Sequence, residues 1–418
     1  MTLRKLTRLN LFAAILFVAG PVALANDYQE ARAELIDAYR AENFRAMQYA
    51  AQKAVVARPE YPGALYNLAL AYTLNERPKD GLRILGRLAD KGIDFGAAET
   101  EEFASLRELE QWDAYVARLE VIDTPVGEAE AVSSWTRADF VPEGIAADSE
   151  GRLLLGSIRH GQVVQLGPEP GVLLESEPHW SVFGMRFHPD GSLWFASAAV
   201  PQFKGGGSGE TGLFRFDRQS ESMTRAAILP PYEPRQVLGD LIIADSNTIY
   251  TTDSLTGAVY RYYIDSNEFE ILVPRGKLVS PQGLVLDKSG SFLYVADYVG
   301  GLYRVATADG SIQRLTVPKE LTDFGIDGLY RYGEELIVIQ NGIRPHRVAA
   351  LRLDAEGSAI VGGRLLASNL DEFDEPTLGF VRDDEFYFVA NSHWNRFDAQ
   401  NELPDGLSPP LVMKLSLQ

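Results

Sequence analysis

A strand-rich unit recurs about every 45 residues through the last two-thirds of the chain, and it constrains the fold more than any other feature. The clearest copy is the stretch SPQGLVLDKSGSFLYVADYVGGLYRV from Ser280 to Val305, in which three apolar runs are separated by turns containing Asp and Gly. Such alternation is typical of antiparallel strands with tight connections. Successive copies are 40, 56, 43, 45 and 51 residues apart when aligned on Glu143, Phe183, Gly239, Gln282, Asp327 and Leu378. A repeat of this length predicts a mainly β fold, a six-bladed β-propeller.

The two ends of this repeat region predict how the ring is closed. The C-terminal segment Leu411–Leu417 alternates between apolar and polar residues and predicts an outer strand. We expect it to pair with Ala131–Trp135, because this pairing removes the exposed sheet edges of an open ring.

Polar residues fall at equivalent places in the repeats. In an antiparallel blade, the start of the first strand and the end of the second strand lie at the same end of the sheet. The predicted first-strand starts are Glu143, Gly239, Asp240, Gln282, Asp327 and Glu375. The predicted second-strand ends are Ser157, Ser197, Asp253, Asp297, Asn341 and Asn391. One face of the ring should therefore collect oxygen-bearing side chains around the central channel, which suits a hard cation such as Ca²⁺.

Three phrases in the repeats resemble a known family. PEGIAAD, PQGLVLDKSGSFLYVADY and IDGL are similar to phrases of the senescence marker protein, gluconolactonase and regucalcin family of six-bladed propellers. The likeness covers about Phe140 to Gln418 and depends on the order of the phrases. It implies a divalent cation near the channel, Ca²⁺ or another, and hydrolysis of a small-molecule lactone or ester.

The resemblance also implies a set of metal ligands. Glu143 and Asp327 match the family pattern directly, whereas Gln282 stands where the family has Asn. Gly239 replaces a further family Asn, with the neighbouring Asp240 retained. The implied ligands are therefore Glu143, Asp240, Gln282 and Asp327.

Two residues are candidates for proton transfer. The resemblance implies a double role for Asp327, as a metal ligand and as a catalytic group. Among the five histidines, His393 is the best catalytic candidate, because it lies just beyond a second-strand end and is accompanied by Asn391, Ser392 and Trp394. A purely structural role remains open for any one of these histidines.

The region before the repeats differs from them in composition and in periodicity. Residues 26–122 are rich in Ala and show helical periodicity, with Met47, Ala51 and Ala54 followed by Pro59. A second period contains Leu65, Leu68, Ala69 and Tyr72, then Leu85 and Leu88. The pattern resembles about two tetratricopeptide repeats, with a third suggested by Phe103, Leu106, Leu109, Trp112 and Tyr115. Such helix pairs bind a protein partner or pack as a cap on a neighbouring domain, and both alternatives stay open.

The N-terminus and the composition bear on location. Arg4, Lys5 and Arg8 precede an apolar run that ends at Ala25, which is typical of a cleaved signal peptide. This predicts a periplasmic or secreted protein that does not insert into the membrane after cleavage. The formal net charge of −19 disfavours nucleic acid as a partner. With no cysteine, disulfides, thiolate metal sites and a Cys nucleophile are all excluded.

The sequence thus predicts four segments and two functions. Residues 1–25 are the signal peptide, 26–122 the helical domain, 123–131 a linker and 132–418 the propeller. The first hypothesis is a divalent-metal-dependent lactone or ester hydrolase. The alternative is a non-catalytic propeller whose helical repeats bind a protein or small-molecule partner. Fold alone does not choose between them, since propellers host both.

Overall fold

The described residues form two compact units. A computed structural model describes residues 23–175, 179–233 and 235–418. The first 22 of the 25 residues predicted to form the signal peptide lie outside the described residues. The units divide between Ile122 and Asp123. No helix of the described residues is long and apolar enough to cross a membrane.

The first unit is helical. Its elements are α1 (Ala23–Arg40), α2 (Phe44–Ala57), α3 (Pro62–Leu74), α4 (Pro78–Ala89), a 3₁₀ helix (Glu101–Glu108) and α5 (Trp112–Ile122). The starts of these helices follow from the sequence. Asn43 accepts a hydrogen bond from the Ala46 amide at the start of α2, and Pro62 and Pro78 occupy the first turns of α3 and α4, where proline is well tolerated.

The helices pack as neighbouring pairs, α1 against α2 and α3 against α4. Most residues of the predicted apolar pattern are buried, namely Met47, Ala51, Ala54, Leu65, Leu68, Ala69, Leu85 and Leu88. The suggested third helix pair is instead the 3₁₀ helix followed by α5. Phe103, Leu106 and Tyr115 from these two elements are nevertheless buried, as an apolar pattern requires.

The second unit is a six-bladed β-propeller, as predicted. Its first strand is β1 (Glu130–Ser134). Blade 1 comprises β2 (Pro142–Ala147), β3 (Leu153–Ser157), β4 (Val163–Gln165) and β5 (Gly171–Leu174). Blade 2 comprises β6 (Ser181–Phe187), β7 (Leu193–Ala198), β8 (Thr211–Asp217) and β9 (Ser222–Ile228). Blade 3 comprises β10 (Leu238–Ile243), β11 (Thr248–Asp253), β12 (Ala258–Tyr263) and β13 (Glu268–Val273).

The other three blades follow in chain order. Blade 4 comprises β14 (Pro281–Leu286), β15 (Phe292–Asp297), β16 (Gly301–Ala306) and β17 (Ile312–Arg314). Blade 5 comprises β18 (Ile326–Tyr332), β19 (Glu335–Gln340), β20 (Arg347–Leu353) and β21 (Ile360–Ser368). Blade 6 comprises β22 (Gly379–Arg382), β23 (Glu385–Val389), β24 (Leu411–Ser416) and β1. Sequential strands pair antiparallel within each blade, so every blade presents its first strand on the inside.

The two ends of the propeller meet in blade 6. β1 pairs antiparallel with β24, with Ala131 opposite Met413 and Ser134 opposite Leu411. The predicted pairing is therefore confirmed, but the strand order differs from the prediction. The C-terminal strand is third in its blade, and the N-terminal strand is the outer one.

Apolar side chains from facing blades form the propeller core. Between blades 1 and 2, Leu154 and Val163 pack with Met185 and Phe195, all of them fully buried. The alternation of apolar residues along each strand supplies these faces, because successive side chains point to opposite sides of a sheet.

The segment predicted as a linker belongs to the propeller unit. Val126 forms an antiparallel bridge with Ser368 at the end of blade 5, and the Asp123 carbonyl accepts a hydrogen bond from Asn369. The sequence of this segment, TPVGEAEA, shows neither the helical nor the strand period, so it did not predict this contact.

Candidate functional site

The inner strands of blades 1 to 5 all carry a β-bulge at the same point. In blade 1, Pro142 pairs with Ser157 and Ile145 with Leu155, so that Glu143 and Gly144 together oppose a single residue. Equivalent breaks in register occur in β6, β10, β14 and β18. The first residues of these bulges are Glu143, Phe183, Gly239, Gln282 and Asp327. A bulge re-aims a side chain and is frequent next to binding sites, so we call these five residues the bulge ring.

Glycine at the second bulge position lets the inner strands approach one another. A Cβ atom on Gly144 would lie 2.0 Å from the Phe183 carbonyl oxygen of the next blade, and one on Gly283 would lie 2.6 Å from the Asp327 carbonyl oxygen. No side chain fits at such distances, so the backbones of neighbouring blades are in direct contact here. This contact brings the residues of the bulge ring together around the channel.

Blade 6 completes the ring with Thr377, one residue earlier than the predicted Leu378. A Cβ atom on Gly328 would lie 3.0 Å from the Thr377 carbonyl oxygen, which repeats the contact seen between other blades. The Thr377 hydroxyl also donates to the Glu143 carbonyl oxygen at 3.4 Å. The one-residue error arose because blade 6 has no bulge in its short inner strand, so the repeat phrase has a different spacing there.

Glu143 lies in this ring under an aromatic residue. It is 7% exposed, and its carboxylate Oε2 accepts a hydrogen bond of 2.7 Å from the indole Nε1 of Trp394. Trp394 follows β23 in a short 3₁₀ turn and also packs near Phe183, with 6.5 Å between ring centroids. Burial, followed by the charge of Asp327, holds the pKa of Glu143 well above its ordinary value.

Asp327 is held by Asn341. The amide Nδ2 of Asn341 donates to Asp327 Oδ2 at 2.7 Å and to the Pro376 carbonyl at 2.9 Å. Burial raises the pKa of Asp327 to about 7, against the lowering effect of this hydrogen bond. The other end of the same amide, Asn341 Oδ1, is buried and has no hydrogen-bond donor among the described residues. A buried acceptor without a donor is costly, and it is a common feature of sites that bind a ligand or ion.

Asp240 has a different setting from the one implied by the resemblance. It occupies the second bulge position of blade 3, where blades 1, 2, 4 and 5 have glycine. Its Oδ1 accepts from the Leu241 amide at 2.8 Å, and its Oδ2 faces Arg186 Nη2 at 3.4 Å. Burial raises the pKa of Asp240. Its charge still acts on Glu143 and Asp327, but its oxygens are engaged by Arg186 and the backbone.

Gln282 takes its place in the bulge ring between Gly239 and Asp327. Its amide Nε2 donates to Ser280 at 3.0 Å, and its Oε1 is turned toward Gly239, 3.7 Å from where a Cβ atom of that residue would lie. The amide oxygen therefore faces the space that the missing Gly239 side chain leaves open. Gln282 remains a predicted ligand, with an acceptor available at the channel.

A further carboxyl group, Glu375, lies near Glu143, Asp240 and Asp327, and we call these four residues the acidic cluster. It precedes β22, adopts a left-handed backbone conformation with φ of 62°, and accepts a hydrogen bond of 2.6 Å from the Asn395 amide. Burial of its carboxyl group, reinforced by the charges of Asp327 and Asp374, raises the pKa of Glu375 to about 8. This group therefore keeps its proton near neutral pH.

His393 is placed close to the cluster but is already bonded at both ring nitrogens. It is 1% exposed, with Nδ1 at 3.1 Å from Asp374 Oδ2 and Nε2 at 2.9 Å from the Ser408 carbonyl. Both partners are hydrogen-bond acceptors. These contacts hold the loop that carries Trp394. The catalytic role of His393 stays a prediction, and it would require one of these two contacts to open.

Most second-strand ends are structural. Asp297 is fully buried and accepts four backbone N–H groups, from Val279, Ser280, Val299 and Gly300. Asp253 does the same in blade 3, for Val237, Leu255 and Thr256. Of the predicted oxygen-bearing strand ends, Asn341 is the one that contacts a bulge-ring carboxylate in the described residues.

The arrangement limits how an ion could be held. In the described part of the chain, no three His, Asp or Glu side chains are grouped closely enough to hold one ion together. An ion held by Glu143 and Asp327 would therefore need further oxygens from amide groups, and Gln282 and Asn341 present them. Two carboxylates with neutral oxygens are a ligand set that Ca²⁺ accepts.

Several site residues were not assigned a role from the sequence. Asn341 and Glu375 were recognised only as members of the channel face, and Arg186 was not singled out. Arg186 sits late in β6 and also lies over the Tyr330 ring, 5.7 Å from its centroid. A β-bulge interrupts the alternation of side chains along a strand. The sequence pattern therefore does not show which residues contact the bulge, and these three were missed for that reason.

Comparisons with known proteins place the propeller among similar solved structures. No protein-family model matches the chain, and no curated protein matches it either. Regucalcin from Agrobacterium tumefaciens, a calcium-binding protein, is 17% identical with a TM-score of 0.49, over 68% of this chain and 93% of that one. The PQQ-bound aldose sugar dehydrogenase from Streptomyces coelicolor is 13% identical with a TM-score of 0.48, over 70% and 99%.

A third similar structure has yet another activity. Virginiamycin B lyase from Staphylococcus aureus is 13% identical with a TM-score of 0.47, and the match covers 70% of this chain and 100% of that one. At sequence identities of 13% to 17%, these similarities concern the fold alone. The functional argument therefore depends on the residues of this chain.

Proposed function

We propose that the propeller binds a divalent cation of the calcium class at the bulge ring and hydrolyses a lactone or ester there. The observation that carries the proposal is the buried pair Glu143 and Asp327 beside the unpartnered acceptor Asn341 Oδ1. Two buried carboxylates repel each other, and an acceptor without a donor is unsatisfied. A cation relieves both costs at once.

The ligands would be the carboxylates of Glu143 and Asp327 with the amide oxygens of Gln282 and Asn341. The bonds from Trp394 and Asn341 orient the two carboxylates, which supports a preformed site. When bound, a divalent cation supplies polarisation of a carbonyl oxygen.

The protein residues supply the proton transfers. The carboxylate of Asp327 takes a proton from water while the water oxygen bonds to the carbonyl carbon. The carbon–oxygen bond of the lactone or ester then breaks. Glu375 holds a proton near neutral pH and gives it to the departing oxygen. Burial favours the protonated form that Glu375 needs, whereas the hydrogen bond from Asn341 favours the carboxylate form that Asp327 needs. Proton exchange with solvent then returns Asp327 to the carboxylate and Glu375 to the acid.

A thermal melt with and without Ca²⁺ tests the cation site. A cation that binds the folded form must raise the melting temperature, and Glu143→Gln should abolish that rise while keeping an acceptor for Trp394. Glu320→Gln changes an exposed carboxylate and should behave as the wild type. A rise that survives in Glu143→Gln, or no rise at all at millimolar Ca²⁺, refutes the site.

Activity is tested separately, by proton release from a lactone in a pH-stat. We expect release to require Ca²⁺ and to be lost in Asp327→Asn. Binding of Ca²⁺ without any release from lactones or aryl esters would refute the hydrolase and leave the cation site standing.

Two sets of contacts favour the alternative function, a non-catalytic propeller that binds a partner. Both nitrogens of His393 are occupied, and Glu143 is capped by the Trp394 indole. These contacts reduce the number of free catalytic groups at the channel. In that case the cation or the channel face would serve recognition.

Export also belongs to the proposal. The N-terminal segment supports it, and N-terminal sequencing of the protein recovered from the periplasm or medium should begin at Asn26. Recovery of the intact chain from the cytoplasm would contradict it.

A further inference from the structure

A basic cleft lies in the helical unit, between α4 and α5. Its volume is about 530 Å³, and its lining includes the cations Lys79, Arg83, Arg87 and Arg118. Asp90 is the one carboxylate among the lining residues. The chain as a whole carries a formal charge of −19, so a lining of four cations and one carboxylate differs from its average. Arg83, Arg87 and Arg118 contact Asp80, Glu60 and Asp90, so the net positive charge at the cleft is small. A negatively charged partner can bind there by replacing these carboxylates.

Three of these cations form a line. Lys79, Arg83 and Arg87 are spaced four residues apart on α4, so they share one face of the helix and are about 6 Å apart along its axis. In an extended peptide, every second side chain points the same way, at a repeat of about 6.6 Å. Acidic residues at alternate positions of such a peptide therefore match the line of cations.

Part of the cleft lining is apolar. Leu82 and Tyr115 line it and are buried. Gly86 also lines it, and its carbonyl oxygen accepts a hydrogen bond of 3.4 Å from Arg118 Nη1. A lining of this kind suits the carbon atoms of a peptide, which distinguishes it from a site for a small inorganic anion.

One of the four cations is unpaired, and the other three are in ion pairs at the surface. Lys79 has no ionic or hydrogen-bonded partner among the described residues. Arg83 faces Asp80 at 3.5 Å, and Arg87 contacts Glu60. Arg118 is paired with Asp90 at 2.6 Å, again with both side chains exposed. Exposed ion pairs contribute little to stability, so a ligand carboxylate can replace these partners at small cost.

We infer that this cleft binds an extended acidic peptide in which Asp or Glu alternates with uncharged residues. The inference is independent of the propeller and its cation. It assigns an acidic peptide to the helical unit as its partner. The helical pattern alone had left two alternatives open, a protein partner or a packing role.

Fluorescence anisotropy of the full chain with a labelled peptide Gly-Glu-Val-Glu-Val-Glu-Gly tests the inference. The peptide should bind, its Gln counterpart should not, and binding should weaken steeply in about 0.5 M salt because exposed charges are screened. The double variant Lys79→Ala, Arg83→Ala should weaken binding about tenfold. Both residues are exposed, so the fold should be kept, and an unchanged melting temperature checks this.

A matched control removes a cation outside the cleft. Arg45 is exposed at the start of α2, and Arg45→Ala should bind the peptide as the wild type does. Equal weakening in Arg45→Ala and the double variant would overturn the cleft as the site. Equal binding of the Glu and Gln peptides, or displacement of the peptide by millimolar inorganic phosphate, would overturn the acidic peptide as its ligand.

Discussion

Replacing Glu375 with Gln tests whether the acidic cluster is strained in the absence of a cation. Burial raises the pKa of Glu375 from its ordinary value of 4.5 to about 8. Between these two pH values the folded protein keeps a proton that the unfolded chain has lost. Because the folded state binds more protons in this window, the free energy of unfolding must fall as the pH rises from 4.5 to 8.

The size of the effect follows from the same two values. A difference in pKa of this size corresponds to up to about 5 kcal/mol at pH 8 and to nothing below pH 4.5. Gln cannot ionise, and its amide oxygen can still accept the hydrogen bond from the Asn395 amide. The variant should therefore equal the wild type at pH 4.5 and be more stable than it at pH 8.

Urea unfolding followed by near-ultraviolet circular dichroism, in the presence of a chelator, measures both proteins across this range. Glu356→Gln changes an exposed Glu and should keep the wild-type dependence on pH. If Glu375→Gln and the wild type lose stability in parallel from pH 4.5 to 8, the carboxyl group is not protonated in the folded state and the reasoning is wrong.

Three further perturbations test other parts of the propeller. The pKa of His179 is lowered to about 4 by burial, so the wild type should lose up to about 3 kcal/mol as the pH falls from 6.5 to 4, and melts of His179→Phe should show a weaker loss in that window. Asp297→Ala strands four backbone donors and should lower the free energy of unfolding by about 3 kcal/mol or more in urea titrations, whereas Asp309→Ala, on an exposed turn, should change it little. Gly144→Ala should lower the melting temperature strongly, because its Cβ would lie 2.0 Å from a carbonyl oxygen of the next blade, while Gly171→Ala has open space and should not. Equal effects in either matched pair would contradict the contacts described.

The sequence predicted the architecture because the signal is repeated. Six copies of one strand pattern at a period near 45 give the number of blades, and the equivalent position in each copy gives Glu143 and Asp327 the same height in the ring. The proximity of these two side chains follows from the symmetry of the fold, although they lie far apart in the chain.

The remaining features of the site depend on contacts that have no period. Trp394 reaches Glu143 across 251 positions, from a loop that occurs once in the chain. Likewise, Asp297 ends β15 opposite Pro281, and the residue at the matching place in blade 5 is Gln340, opposite Ile326. Asn341 lies one position later in the chain and holds Asp327, whereas Asp297 caps its own loop. The repeat does not show this offset of one residue, so only the three-dimensional structure separates the two roles.

The pairing of β1 with β24 bears on how the protein is made. Blade 6 takes its outer strand from residues 130–134 and its other strands from residues 379–416. A ribosome that has synthesised five blades has therefore produced an open ring, in which β1 has no partner strand. Blades 1 and 5 then expose the apolar faces that pack against blade 6 in the closed ring, and such surfaces are prone to aggregate with other nascent chains. That interval ends only when β24 has been synthesised, so a stop shortly before Leu411 should yield aggregated chains and no smaller propeller.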